Sequence, residues 1–151
     1  MTYEMIMKDE SIKTYIRQAD ASLAALGFTE HSFAHVCRVA ETAGQILESL
    51  GYSEHEAELA RIAAYLHDIG NMVNRNDHAL LGGTISFSLL NSMGADPADI
   101  AVICTAIGNH DEGTGVPVNS IAAALILADK SDVRRSRVRN ADFSTFDIHD
   151  R

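Results

Sequence analysis

The sequence has no tryptophan and only two prolines among its 151 residues. Its runs of β-branched residues are short, and it shows neither internal repeats nor strand-like alternation of useful length. These absences favour helices over strands. The two cysteines, Cys37 and Cys104, are too few for a disulfide framework and fall within apolar helical patterns. A reducing compartment is therefore expected.

Long apolar runs and an excess of positive charge are also missing. The longest apolar run, Ile121 to Ala128, is far too short to span a bilayer. Residues Met1 to Glu10 lack the apolar region of a signal peptide. The formal net charge of −9 argues against nucleic acid as a partner, because that binding rests on phosphate neutralisation by Lys and Arg. We expect a cytoplasmic protein without membrane or nucleic-acid partners, and leave homo-oligomer formation open.

The composition that remains is that of a globular chain, with 46% apolar and 22% charged residues. The length predicts a single domain over residues 1–151. Apolar residues recur at helical spacing in about six segments, which predicts a compact, all-α bundle. The predicted helices are Ser11 to Leu26, about Glu30 to Leu50, Ser53 to Asp68, Asp77 to Leu90, one opened by Asp96-Pro97, and one starting near Ser120.

Several helix ends carry recognisable signals. Gly27 and Gly51 are placed to end the first two helices. Ser53 to Glu56 reads as a capping box, and Asp77 is a candidate N-cap for the fourth helix. Gly82-Gly83 inside that helix costs roughly 1 kcal/mol per residue relative to alanine, so a close backbone approach is expected there. Gly70 to Asn76 is predicted to be a loop.

The segment Tyr65 to Gly70 places a histidine and an aspartate side by side where an apolar helical pattern ends. Adjacent helical residues diverge too far to bind one ion as an i, i+4 pair would. His67 and Asp68 can instead reach one ion together from a helix end, or the carboxylate can bridge two ions. Imidazole and carboxylate suit iron, zinc and manganese.

Other histidines and an aspartate lie at ends or first turns of the predicted helices. His110 ends the fifth helix, and Asp129 interrupts the apolar sixth helix, where a buried carboxylate needs a partner such as a metal. Bundle proteins build metal sites from such inward-facing side chains. We therefore predict a metal site at helix ends in the bundle core, with six candidate ligands: His35, His67, Asp68, His78, His110 and Asp129.

Each of these residues also has an ordinary structural interpretation. A histidine at a helix end is more often a cap or a satisfied core residue than a ligand, and His78 beside Asp77 could form only a polar pair. His31, four residues before His35, is a weaker candidate for the same cleft. His55 and His149 fall outside the pattern.

The six residues resemble the motif of the HD superfamily of metal-dependent phosphohydrolases. Its H…HD…D core is matched by His35, by His67-Asp68 and by Asp129, and the resemblance covers roughly residues 30–132. The extra histidines make the chain similar to the dinuclear branch, H…HD…H…H…D. Segments 78–82 and 109–117 resemble those of the HD-GYP cyclic-dinucleotide phosphodiesterases.

That last resemblance is incomplete at three places. Asn71 replaces the lysine that follows His-Asp-Ile-Gly, Asn109-His110 replaces paired histidines, and Gly115-Val116-Pro117 replaces Gly-Tyr-Pro. The resemblance therefore supports the metal framework rather than cyclic-dinucleotide specificity.

The resemblance implies a role for each residue. His35, His67, Asp68 and Asp129 would hold a first metal, and the catalytic Asp68 would bridge to a second metal held by His78 and His110. Two divalent ions roughly 3.5–4 Å apart can activate a shared water and stabilise a phosphoester in reaction. The expected ions are iron or manganese, with zinc, magnesium, nickel or cobalt as alternatives.

The expected substrate is a nucleotide or another small phosphoester. Lys130 is predicted to act in catalysis and to contact phosphate, with Asn109 and Arg134 as further phosphate contacts. Two other functions stay open. The same ligands occur in di-iron oxygenases of the inositol and phosphonate oxygenase type, and a non-catalytic nucleotide-binding module could use metal only for stability.

Residues 133–151 form a basic C-terminal segment in an otherwise acidic chain. Arg134, Arg135, Arg137 and Arg139 are four of the twelve cationic residues. They could attract a phosphorylated substrate, bind an acidic partner chain, or form a solvated helix end. The segment has no clear stop signal, so a continuation past Arg151 is left open.

Overall fold

A computed structural model of the chain describes residues 1–28, 33–111, 113 and 115–132. Within these ranges the chain forms seven α-helices and one short 3₁₀ helix, with no strand. The predicted all-α fold is confirmed. The elements are α1 (Tyr3–Lys8), α2 (Glu10–Ala25), α3 (Phe33–Ser49), α4 (Glu54–Leu66), the 3₁₀ helix (Ile69–Met72), α5 (His78–Ser92), α6 (Pro97–Gly108) and α7 (Ser120–Ser131).

The structure differs from the sequence prediction in two elements. Helix α1 was not predicted, because its six residues are too few to show a period, and only Ile6 of this helix is buried. The loop predicted from Gly70 is wrong at its start, since a 3₁₀ helix occupies Ile69–Met72. This turn forms because both the backbone and the side-chain amide of Asn71 donate to the carbonyl oxygen of Asp68.

Most predicted helix ends are confirmed. Gly27 and Gly51 have φ angles of 83° and 84°, which L side chains rarely adopt. The Ser53 hydroxyl accepts a hydrogen bond from the amide of Glu56 at 3.1 Å. Asp77 lies at the N-cap position of α5, but its φ is 61° and its side chain forms no capping hydrogen bond within the described residues. The predicted N-cap position of Asp77 is therefore confirmed, although within the described ranges its side chain does not supply the usual capping hydrogen bond.

Helix α4 is the central element of the bundle. Eight of its thirteen residues are buried, and it packs against α1, α3, α6 and α7. An amphipathic surface helix buries only one stripe, so this degree of burial indicates that neighbours surround α4. The end of α4 at Leu66 consequently delivers the next residues, His67 and Asp68, into the interior rather than to the surface.

Glycines bring α5 against the end of α4. A Cβ atom on Gly70 would overlap the carbonyl oxygen of His78 and lie 2.6 Å from the amide nitrogen of Gly82. A Cβ on Gly82 would lie 3.3 Å from the carbonyl oxygen of His67. The close approach predicted for Gly82 is thus confirmed, and it sets the start of α5, with His78, beside the end of α4.

Both cysteines are free and partly buried, as the absence of a disulfide framework predicted. Within the described ranges, no helix combines the length and the apolar character needed to cross a bilayer.

Candidate metal centre

The end of α4 forms the middle of a buried polar cluster. His67 is the C-cap residue of α4, and Asp68 follows it directly. Around them lie His35 from the first turn of α3, His78 from the first turn of α5 and His110 just after α6. These five residues are no more than 5% exposed. Five elements therefore contribute to one cluster once Asp129 of α7 is included.

All four histidines use Nδ1 in a hydrogen bond to an oxygen that can only accept. The acceptors are backbone carbonyls for three rings, at 2.5 Å for His67 to Ala64, 3.1 Å for His78 to Arg75 and 2.6 Å for His110 to Ile107. For His35 the acceptor is Asp132 Oδ2, at 2.8 Å. Because Nδ1 must donate in each case, Nε2 is the nitrogen that can offer a lone pair to a metal when the ring is neutral. This is the arrangement typical of metal-binding histidines.

The two oxygens of Asp68 face different pairs of histidines. Oδ2 lies 3.0 Å from Nε2 of His67 and 3.4 Å from Nε2 of His35. Oδ1 lies 3.6 Å from Nε2 of His110 and 4.0 Å from Nε2 of His78. The carboxylate thus stands between two separate groups of imidazole nitrogens.

Asp129 joins the first of these groups only. Its Oδ1 lies 3.1 Å from Nε2 of His35 and 3.4 Å from Nε2 of His67. Atoms that bind one ion at about 2.0–2.1 Å are separated by roughly 2.8–3.4 Å, from adjacent octahedral to tetrahedral positions. The spacing in this group therefore fits a single ion. Two sets of ligand atoms lie close enough to hold a metal, His35 with His67 and Asp129, and His67 with Asp68 and His110.

The imidazole rings form a continuous row across the centre. The ring centroids are 5.4 Å apart for His35 and His67, 4.9 Å for His67 and His110, and 5.1 Å for His110 and His78. Within the described part of the chain, Nε2 of His67 is buried without a hydrogen-bond partner. A buried polar atom without a partner is costly, and a metal ion would satisfy it. The residues fit a metal centre.

Without metal, the first group holds protons. Burial opposes a charge on His35, but hydrogen bonds to Asp129, Asp132 and Asp68 outweigh it and raise its pKa to about 9. Burial likewise opposes a charge on His67, yet the charges of Asp68 and Asp129 raise its pKa well above the usual value. The pKa of Asp129 is held well below its usual value, despite burial, mainly by the charge of His67.

The second group behaves differently. Burial lowers the pKa of His78, and the attraction of Asp68 does not compensate for it. The positive charges of His110 and Arg75 lower that pKa further, whereas Asp111 raises it. The two ends of the row of rings therefore differ in their electrostatic environment.

Other residues predicted for the site have weaker structural support. Lys130 is exposed in the last turn of α7, beside Asp129. The side-chain amide of Asn109 donates to the carbonyl oxygen of Thr105 on its own helix. Arg134, with the rest of the arginine cluster, and His31 lie outside the described residues. His55 contacts Asp99 at the surface, which agrees with its exclusion from the predicted set.

The sequence analysis missed Asp132. This carboxylate is 3% exposed and contacts His35, yet it lies at the C-cap of α7 beyond the last predicted ligand. Its spacing of three from Asp129 was a usable signal, because residues at i and i+3 share one helix face. An Asp-x-x-Asp pair that ends an apolar helix presents two carboxylates to the same neighbour.

Comparisons with known proteins show what this chain is similar to. An uncharacterized protein of Methanocaldococcus jannaschii is 25% identical over 163 residues, covering 92% of this chain, which spans only 62% of that relative's length. The crystal structure of a predicted HD superfamily hydrolase from an uncultured Thermotogales bacterium is 27% identical and has a TM-score of 0.61, covering 84% of this chain and 71% of that one. The family model described as the HD domain matches residues 32–136, more than half of the chain. The chain belongs to the HD domain family.

Proposed function

We propose that this protein is a metal-dependent phosphohydrolase with a dinuclear centre, acting on a nucleotide or another small phosphoester. The observation that carries the proposal is the position of Asp68, whose two oxygens face two different pairs of histidines. A single ion would use only one of these oxygens, whereas a carboxylate shared by two ions uses both.

We assign the ligands to two ions. In this assignment Asp129, His35 and His67 hold the first ion together with Oδ2 of Asp68, and the four distances from the histidine Nε2 atoms to the carboxylate oxygens run from 3.0 to 3.4 Å. His78, His110 and Oδ1 of Asp68 hold the second ion, with the longer separations of 3.6 and 4.0 Å. The longer separations leave room for additional oxygen ligands from solvent or substrate.

When bound, two divalent ions would supply Lewis-acid chemistry that lowers the pKa of water and stabilises phosphoester oxygens. The protein's own contribution is to hold the ligands rigidly and to limit solvent. The four rings are fixed by their Nδ1 hydrogen bonds, which stops them from turning away. Asp68 is almost fully buried, so its carboxylate orientation is set by packing.

Substrate is proposed to enter on the side of Asp129. The Asp129 side chain is 31% exposed, whereas the side chains of the other five ligands are at most 7% exposed. Lys130 is exposed next to it and can approach a phosphate group there. In this proposal Asn109 and Arg134 are the additional phosphate contacts, and the N/O ligand set favours iron or manganese.

The proposal is tested by metal analysis of anaerobically purified protein, followed by phosphate release from a panel of nucleotides. We expect two metals per chain and phosphate release that depends on Mn²⁺ or Fe²⁺. His67→Gln should abolish this activity, whereas His55→Gln, a histidine substitution outside the centre, should leave it unchanged. Two irons in a mixed-valence state without phosphate release would instead indicate an oxygenase. Bound metal without either activity would indicate a binding module.

A further inference from the structure

His35 is held between two carboxylates that come from one turn of α7. Asp129 Oδ1 lies 3.1 Å from its Nε2, and Asp132 Oδ2 lies 2.8 Å from its Nδ1. Both carboxylates reach the same ring because the two residues are three apart at the end of the helix, where the amide of Asp132 donates to the carbonyl oxygen of Asp129. One is a proposed ligand, and the other contacts the far side of the ring.

The other three histidines of the centre have neutral partners at Nδ1. His67, His78 and His110 each donate to a backbone carbonyl oxygen. A hydrogen bond to an ionised carboxylate is roughly twice as strong as one to a neutral acceptor. It also increases electron density on the ring, which makes Nε2 a better metal ligand. His35 is therefore the most strongly supported of the four.

The charges around the two halves of the centre are also unequal. Asp129 contacts His35 and His67, and Asp68 faces both halves. Asp132 contacts His35 through Oδ2, while its Oδ1 lies 4.0 Å from Nε of the exposed Arg38, whose charge is screened by solvent. In the half that contains His78, the positive charge of Arg75 lowers the pKa of His78, and the negative charge of Asp111 raises it. A divalent cation is consequently attracted more strongly to the first half.

We propose that Asp132 is a positioning residue that makes the first half of the centre the tight metal site, so that it keeps its ion when the second half is empty. This inference rests on the proposed dinuclear centre but not on phosphoester hydrolysis. Asp132 touches neither metal nor substrate; it acts by holding the His35 ring and by adding negative charge behind it.

The test is a titration of chelator-treated protein with Mn²⁺ alone. Binding is monitored by calorimetry, and the bound metal per chain is counted. Wild-type protein should bind in two steps of different affinity. Asp132→Asn keeps the shape of the side chain and an oxygen acceptor but removes the charge. It should weaken the tight step roughly 10–100-fold and leave the weak step unchanged.

Asp99→Asn is a matched control for this substitution. Asp99 also accepts a contact from a histidine, His55, at 2.9 Å, but this pair lies at the surface outside the centre. Removing the charge of Asp99 should change neither of the two metal-binding steps. Thermal unfolding of the metal-free Asp132→Asn protein checks that the variant is folded.

A second variant keeps the inference testable even if Asp132→Asn does not fold. His78→Gln should remove the weak step and preserve the tight step. Any one of three results would overturn the inference. They are the loss of the tight step in His78→Gln, two indistinguishable steps in the wild-type titration, and wild-type tight binding in Asp132→Asn. Two unequal steps without phosphate release would support the inference and refute the proposed activity.

Discussion

The protonated first half of the centre predicts an unusual pH dependence of stability. In the metal-free protein, the pKa of His35 is about 9 instead of the ordinary 6.5, because three carboxylates surround its ring. A group whose pKa is higher in the folded state binds its proton more tightly there than in the unfolded chain. Its stabilisation is complete below pH 6.5 and disappears as the pH rises through about 9.

The size of the effect follows from that difference. At about 1.4 kcal/mol per pH unit, the step from 6.5 to about 9 corresponds to about 3 kcal/mol for His35 alone. The pKa of His67 is raised in the same direction, so its contribution adds to the loss. This is a large part of the total stability of a typical domain, which is about 5–15 kcal/mol.

The measurement is urea unfolding of chelator-treated protein, monitored by circular dichroism at several pH values between 6.5 and 9. We expect the free energy of unfolding to fall across this range. With saturating metal the free energy should instead rise slightly just above pH 6.5 and then stay level, since ligated histidines carry no proton in the folded state, whereas unfolded histidines are about half protonated at pH 6.5. His35→Gln should show a smaller decline, due to His67 alone. A metal-free protein whose stability stays level or rises between these pH values would refute the reasoning.

Three substitutions test other parts of the structure. Asp68→Ala should abolish metal binding at both positions, because it removes the shared carboxylate; a variant with its full metal complement, by metal analysis, would contradict the bridging role. Gly70→Ala should cost about 1–3 kcal/mol or more in urea unfolding, because its Cβ would overlap the carbonyl oxygen of His78. Gly108→Ala is its control, since a Cβ there meets nothing within 4 Å, and equal losses in both variants would disprove the packing argument. Ser53→Ala should lower the stability by about 1 kcal/mol, since it removes the hydroxyl that accepts from the amide three residues later, and an unchanged denaturation midpoint would show that this cap does not contribute.

Much of the helical architecture could be predicted because its signals are local. The period of apolar residues in α2 and α4, the glycine stops at Gly27 and Gly51, and the Ser53 cap act over a few neighbouring residues. The failures have physical reasons as well. Helix α1 is too short for periodicity, and the 3₁₀ helix at Ile69–Met72 stands where the small and amide residues after Asp68 predicted a loop.

For the candidate site, the motif predicted which residues take part, but only the packing of the helices shows whether they meet. Histidines and aspartates at the ends of apolar helices could be selected as candidate ligands, because buried polar side chains there need a partner. Whether they met depended on contacts between distant segments. The two oxygens of Asp68 face two pairs of histidines because α3 packs against α7 and α4, while α5 packs against α6 and the 3₁₀ helix that follows Asp68.

Residue type and local spacing were enough to predict most of the helices, most of their ends and the candidate metal ligands. Only the packing of the whole chain places Asp132 behind His35, which is 97 residues away in the sequence. It also decided that the other three rings donate to backbone carbonyls, which no motif can reveal because every residue carries one. Hydrogen-bond partners of this kind depend on how helices pack, and that is a property of the whole fold.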